Sequence, residues 1–137
     1  MAKLGSAGSF AGGVSETITA AKTLVKADSG KVFYLDSAGG AYSITLPAVA
    51  ASAHFSFIVQ ENTPTGAITI AAGSAIVYGN LEQQSDTNED NRVACAGVSS
   101  VIIGTSALKG DWLDFSCDGT SWYVRGQSSI QTAVSTS

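Results

Sequence analysis

The sequence predicts an all-β chain: a single β-sandwich or jelly-roll-like domain behind a flexible Gly-rich N-terminal arm. Three observations lead there. Apolar and polar residues alternate in short runs, and Gly, Asp, Asn or Pro interrupts these runs every few residues. Stripes of helical period are absent. Ala, Ser, Thr and Gly fill 66 of the 137 positions, a composition that suits neither a helical bundle nor a charged disordered chain. A chain of this length can bury a real core as one domain.

Residues 1–13 carry four glycines and almost no apolar pattern, so ordering them requires contacts from another surface. They read as an arm whose large apolar side chains are Leu4 and Phe10. The domain is expected from Val14 to Gly126. Val14 to Thr19 and Thr23 to Lys26 are weak strands, and Asp28-Ser29-Gly30 turns the chain into a stronger strand from Lys31 to Asp36. After Ser37-Ala38-Gly39-Gly40, Tyr42, Ile44 and Leu46 share one face of a half-buried strand that Pro47 ends. Residues 48–53 form a loop or one helical turn. Phe55, Phe57 and Val59 then mark a core strand, and the Asn62-to-Gly66 turn leads to Ile68 and Ile70.

Ile76 to Tyr78 is a short strand, and 79–91 is a polar, acidic surface loop. Arg92 to Ala96 and Ser100 to Ile103 are strands of small residues separated by Gly97. In Asp111 to Cys117, Leu113, Phe115 and Cys117 face one way and Trp112, Asp114 and Ser116 the other. Asp118-Gly119-Thr120-Ser121 is a tight hairpin turn into Trp122-Tyr123-Val124-Arg125. Residues 127–137 carry no charge and are expected to fray as a C-terminal tail. The expected core is Phe33, Leu35, Ile44, Leu46, Phe55, Phe57, Ile68, Ile70, Leu113, Phe115 and Trp122.

Seven Lys and Arg against eleven Asp and Glu give a net charge of −4, which argues against a nucleic-acid partner, because phosphate affinity comes from clustered cations. No window is apolar enough to span a membrane, and the N-terminus lacks the apolar stretch of a secretion signal. Cys95 and Cys117 are expected to be buried and reduced. No Asn stands in a glycan-acceptor triplet. The chain therefore reads as made in a cytoplasm.

Chemistry has few candidates. His54 stands at a strand start with no defined nucleophile or orienting acid, and no nucleophile elbow, phosphate loop or dinucleotide fingerprint is present. Asp86-Thr87-Asn88-Glu89-Asp90 begins like a calcium loop but has Asn91 where the sharp-turn Gly belongs and Gly97 where the bidentate Glu belongs. One His and two distant Cys do not make a zinc site. Asp111 and Asp114 point to opposite faces of a strand and form no dyad. Trp112, Trp122, Tyr123 and Tyr78 could form a sugar platform; core packing of one Trp and interface packing of the other is the plainer use. No catalytic, metal or cofactor site is expected, and the chain reads as a non-enzyme.

The segment from Gly110 to Val124, a Gly-Asp, an alternating strand, Asp118-Gly119-Thr120 and then Trp122-Tyr123-Val124, resembles the closing hairpin of small β-rich virion proteins of tailed bacteriophages. Residues 39–47 and 65–70 resemble the strands that precede it there, so the likeness spans about residues 30–126. It is most similar to the head decoration, or cement, proteins, with tail-fibre and spike modules that bind a host receptor or carbohydrate as the alternative. The resemblance implies a structural virion protein on the capsid exterior, commonly a homotrimer, that bridges major capsid protein subunits. No binding motif is defined for that family. From the residues themselves, partner contacts are expected at Leu4 and Phe10 on the arm and at Lys22 and Lys26 at one strand parity. Residues 14–26 would order only on assembly, and the acidic loop 82–90 would face solvent.

Overall fold

An alternating strand can bury one face only if a second layer covers it, and here two sheets cover each other. The computed structural model describes residues 14–50, 52–84 and 92–137. In chain order the strands are β1 (Ser15–Ile18), β2 (Lys22–Thr23), β3 (Val32–Leu35), β4 (Tyr42–Thr45), β5 (His54–Val59) and β6 (Ile68–Ala71). They continue with β7 (Val77–Gln83), β8 (Arg92–Val98), β9 (Ser100–Ile103), β10 (Trp112–Cys117), β11 (Trp122–Ser128) and β12 (Val134–Thr136). The larger sheet runs β1-β3-β5-β10-β11-β7-β8 and the smaller one β12-β9-β6-β4-β2. The result is an all-β sandwich.

From β1 to β6 the chain changes sheet at every strand. β1, β3 and β5 stack in parallel in the larger sheet, and β2, β4 and β6 do so in the smaller. The path is a short two-sided coil in which each turn lays one strand on each face. Close approach between turns demands a residue without a side chain: a Cβ on Gly66 would fall onto the backbone of Ala41. Ser37 locks the same corner, because its amide and hydroxyl both donate to Glu61 Oε1 while its oxygen accepts from the Gly66 amide at 3.0 Å.

The rest of the chain closes the coil with antiparallel strands. β9 pairs with β6, and β10 pairs with β5. β11 folds back on β10 through the Asp118–Ser121 turn, where Asp118 Oδ1 accepts the amides of Thr120 and Ser121, each at 2.8 Å. β7 then lies parallel to β11, β8 is antiparallel to β7, and β12 is antiparallel to β9.

All eleven residues expected in the core are buried. Phe33 and Phe57, opposite each other in the parallel ladder, stack at 5.6 Å, and Phe57 meets Phe115 edge-on at 5.8 Å. Each such side chain contributes about 1.5–3 kcal/mol by leaving water, so this aromatic row anchors the larger sheet. Trp122 is fully buried beside Phe55, and its indole N–H has no hydrogen-bond partner among the described residues.

Four local expectations need correction. The strand expected to end at Tyr78 continues to Gln83 and buries Leu81; residues 85–91 of the expected loop lie outside the described residues. Its polar letters belong to an outward face, and Gly79 is required where β7 passes β11, since its φ is +139° and a Cβ there would strike the Val124 carbonyl. Residues 127–137 do not fray: β11 runs to Ser128, and Ala133 and the first residue of β12, Val134, are buried. Residues 14–26 are built into the sandwich through β1, β2 and the fully buried Leu24. Finally, the weak strand placed at Thr23 to Lys26 is the two-residue β2, and Lys26–Asp28 is a 3-10 turn.

Candidate functional surfaces

At the coil's open end, β1 and β2 are the last strands of their sheets on the same side of the sandwich. The carbonyls of Val14 and Ile18 accept amides from the β3 side, at 3.3 and 3.0 Å. In a parallel ladder alternate residues bond to one neighbour, so the backbone groups of Ser15 and Thr17 point away from the sheet. Beneath them Glu16 shares the inward parity of buried Ile18 and is held by cations. Lys22 Nζ lies 2.8 Å from Glu16 Oε2 and Lys31 Nζ 3.5 Å from Oε1, while Lys31 also meets Asp28 Oδ1 at 2.7 Å.

The hydrogen bond from Lys22 holds the Glu16 carboxyl below its ordinary pKa. Burial opposes ionisation of Asp28, but the Lys31 ammonium and the Val25 amide outweigh it and lower that pKa too. The hydrogen bond to Asp28 in turn raises the pKa of Lys31.

Lys22 is thus committed to Glu16, whereas Lys26 is exposed at the start of the 3-10 turn and does not share a strand parity with it. The expected contacts Leu4 and Phe10 lie outside the described residues, as does Asp86–Asp90. Among the described residues no three His, Cys, Asp or Glu side chains form a metal-binding group, and no helix is long and apolar enough to cross a membrane.

The second surface is the outer face of the larger sheet. Cross-strand register there makes rows: His54, Ser116, Tyr123 and Tyr78 in one, and Ser56, Asp114, Arg125 and Asn80 in the next. Tyr78 and Tyr123 are 41% and 46% exposed, so both rings present area to solvent. Their centroids are 6.5 Å apart at 37°, and the Tyr123 hydroxyl donates to Asp118 Oδ2 at 3.0 Å. That bond raises the Tyr123 pKa, while the Ser121 and Thr120 amides, helped by Tyr123, lower that of Asp118. A hollow of about 290 Å³ is lined by His54, Asp114, Ser116, Tyr123, Val124 and Arg125.

Of the aromatic residues singled out in the sequence, Tyr78 and Tyr123 come together, Trp112 is half-buried on the same face, and Trp122 is in the core. Asp114 faces outward while Asp111 is buried, so the two form no dyad. Sequence reasoning missed Arg125, Asn80 and the place of His54 beside Ser116. The signal for Arg125 was in the hairpin turn: a loop at 118–121 sets Ser116 opposite Tyr123 and Asp114 opposite Arg125. Cys95 and Cys117 are buried free thiols, and burial raises the pKa of Cys95.

No family model matches this sequence, and no curated protein matches it.

Proposed function

We propose that this chain is a capsid decoration, or cement, protein: a structural component on the outside of a phage head, a homotrimer, that stabilises the shell by bridging major capsid protein subunits. The observation that supports this reading best is the open coil end. Both sheets stop there at a short strand, and the outer backbone groups of β1 are a template onto which a strand of another protein can add. The charges under that edge disfavour end-on stacking of two coils, which would bury Glu16, Lys22 and Lys31 together. The edge is therefore suited to a different chain. It also directly follows residues 1–13 in the sequence, whose large apolar side chains are Leu4 and Phe10.

The direct test is co-sedimentation of the purified protein with undecorated phage heads. Saturable binding at a fixed ratio to capsid protein is expected, with three copies per particle by analytical ultracentrifugation of the free protein. A protein that stays in the supernatant overturns the capsid reading. The alternative, a tail-fibre or spike module, is favoured by the exposed tyrosines of the larger sheet, and binding to host cells but not to heads is its outcome.

A further inference from the structure

We propose that the outer face of the larger sheet, around Tyr123 and Tyr78, binds a neutral oligosaccharide of equatorially substituted pyranose units. Two exposed rings on adjacent parallel strands are the first part of the argument. Phenol faces take the apolar C–H faces of equatorially substituted sugars, and the phenol hydroxyl remains available as a polar handle. Here the Tyr123 hydroxyl is anchored on Asp118, which restrains the ring before any ligand arrives. Preorganisation of this kind lowers the cost of binding.

The polar groups beside the rings are the second part. Asp114 and Arg125 sit directly opposite each other across β10 and β11, yet no hydrogen bond or ion pair joins their side chains to each other or to another described residue. They line the hollow together with His54 and Ser116. A carboxylate that only accepts, a guanidinium that only donates and a hydroxyl that does both make a set matched to vicinal sugar hydroxyls. One acid and one base leave these two groups neutral as a pair, so an anionic polymer is not favoured and an uncharged ligand is.

Extent is the third part. Trp112 stands on the same face four residues along β10 from Ser116, about 14 Å away at ~3.4 Å per residue. A further hollow of about 360 Å³ lies beside it, bordered by Glu82 and Gln127. The face can therefore meet more than one sugar unit, and an oligomer should bind more tightly than its monomer.

The inference does not rest on the capsid reading, because the probes are soluble and no phage head enters the test. Cellohexaose and chitohexaose are titrated into the full-length protein labelled with nitrogen-15, with a sulfated heparin hexasaccharide as the anionic control. Saturable shifts confined to the amides around Ser116, Tyr123, Arg125 and Tyr78 are expected with at least one neutral probe. Tyr123→Ala is expected to bind about tenfold more weakly, whereas Tyr123→Phe, which keeps the ring, should stay within about threefold of the parent. Asp114→Ala, on an exposed face, provides a second variant that removes polar recognition without touching the core. Absence of shifts with both neutral probes, equal binding by Tyr123→Ala with its spectrum intact, or preference for the sulfated control would each overturn the proposal.

Discussion

Asp111 ties the loop before β10 to the end of β11 with one carboxylate. Its Oδ2 accepts the Leu108 amide at 2.9 Å and the Ser128 hydroxyl at 3.2 Å, and Oδ1 accepts the Ser129 amide at 2.9 Å. Only 4% of the residue is exposed, so deleting the acceptor strands donors that water cannot readily reach. Asp111→Ala should lose about 3 kcal/mol of unfolding free energy in urea titrations, whereas Asp114→Ala, on the outer face, should lose less than about 0.5. Tyr42 supplies a residue with a pH signature. Its hydroxyl donates to the Ile18 carbonyl at 2.8 Å, and burial pushes its pKa up to about 12. The unfolded phenol ionises near pH 10, so the folded state holds the proton more tightly. The resulting stability is complete below pH 10 and is lost as pH rises from 10 to 12, at up to about 1.4 kcal/mol per pH unit. Tyr42→Phe should be about 1 kcal/mol less stable at pH 8 and should show a shallower alkaline decline than the parent when urea midpoints are followed from pH 8 to 11.

β7 tests how strands find their place. Its links are β11 on one side and β8 on the other, and Gly79 lets it pass the Val124 carbonyl. Gly79→Ala should therefore cost more than about 3 kcal/mol, and hydrogen exchange should show the β7 and β8 amides opening before those of β5. β12 offers the opposite test of the C-terminal segment. Stopping the chain after Ser129 removes buried Ala133 and Val134 and the Ser137 carbonyl that accepts the amides of Ser99 and Ser100 at 2.8 and 3.1 Å. A loss of about 3 kcal/mol is expected from that burial and those bonds; a frayed tail would give none. The strands legible in the sequence were those whose apolar side chains are large, such as Phe55, Phe57, Leu113 and Phe115. Of β7 only the start, to Tyr78, was legible, and β12 was not, because Gly79, Ala133 and the serines around them bury little area and leave weak alternation. Their burial is decided by distant partners, Val124 and the β9 backbone, that no local pattern contains. The same limit explains the candidate surfaces: the Asp118 turn encodes the row that joins Asp114 to Arg125, but nothing near Tyr78 says that β7 will lie beside Tyr123.

For the whole molecule, the sandwich and its core were legible and the coil was not, since residue periodicity specifies which face is buried and is silent on which strands are neighbours. The capsid proposal makes its prediction at this scale. Deleting residues 2–13 should leave the melting temperature of the free protein unchanged, weaken binding to heads, and lower the temperature at which decorated capsids release their DNA, followed by dye fluorescence. Many identical weak contacts acting together would account for such a gain in shell strength, and an unchanged release temperature would retire the arm as a bridge. The order of strands also has a consequence during synthesis. The coil from β1 to β6 draws only on residues already made, so it can assemble as the chain leaves the ribosome. β5 and β6 then wait with bare edges for β10 and β9, and the β7–β8 hairpin has no berth until Trp122 to Ser128 have emerged. A chain stalled or cleaved between β8 and β11 is the form most exposed to edge-to-edge association, and the last few seconds of translation are when this protein most needs to be kept from its own copies.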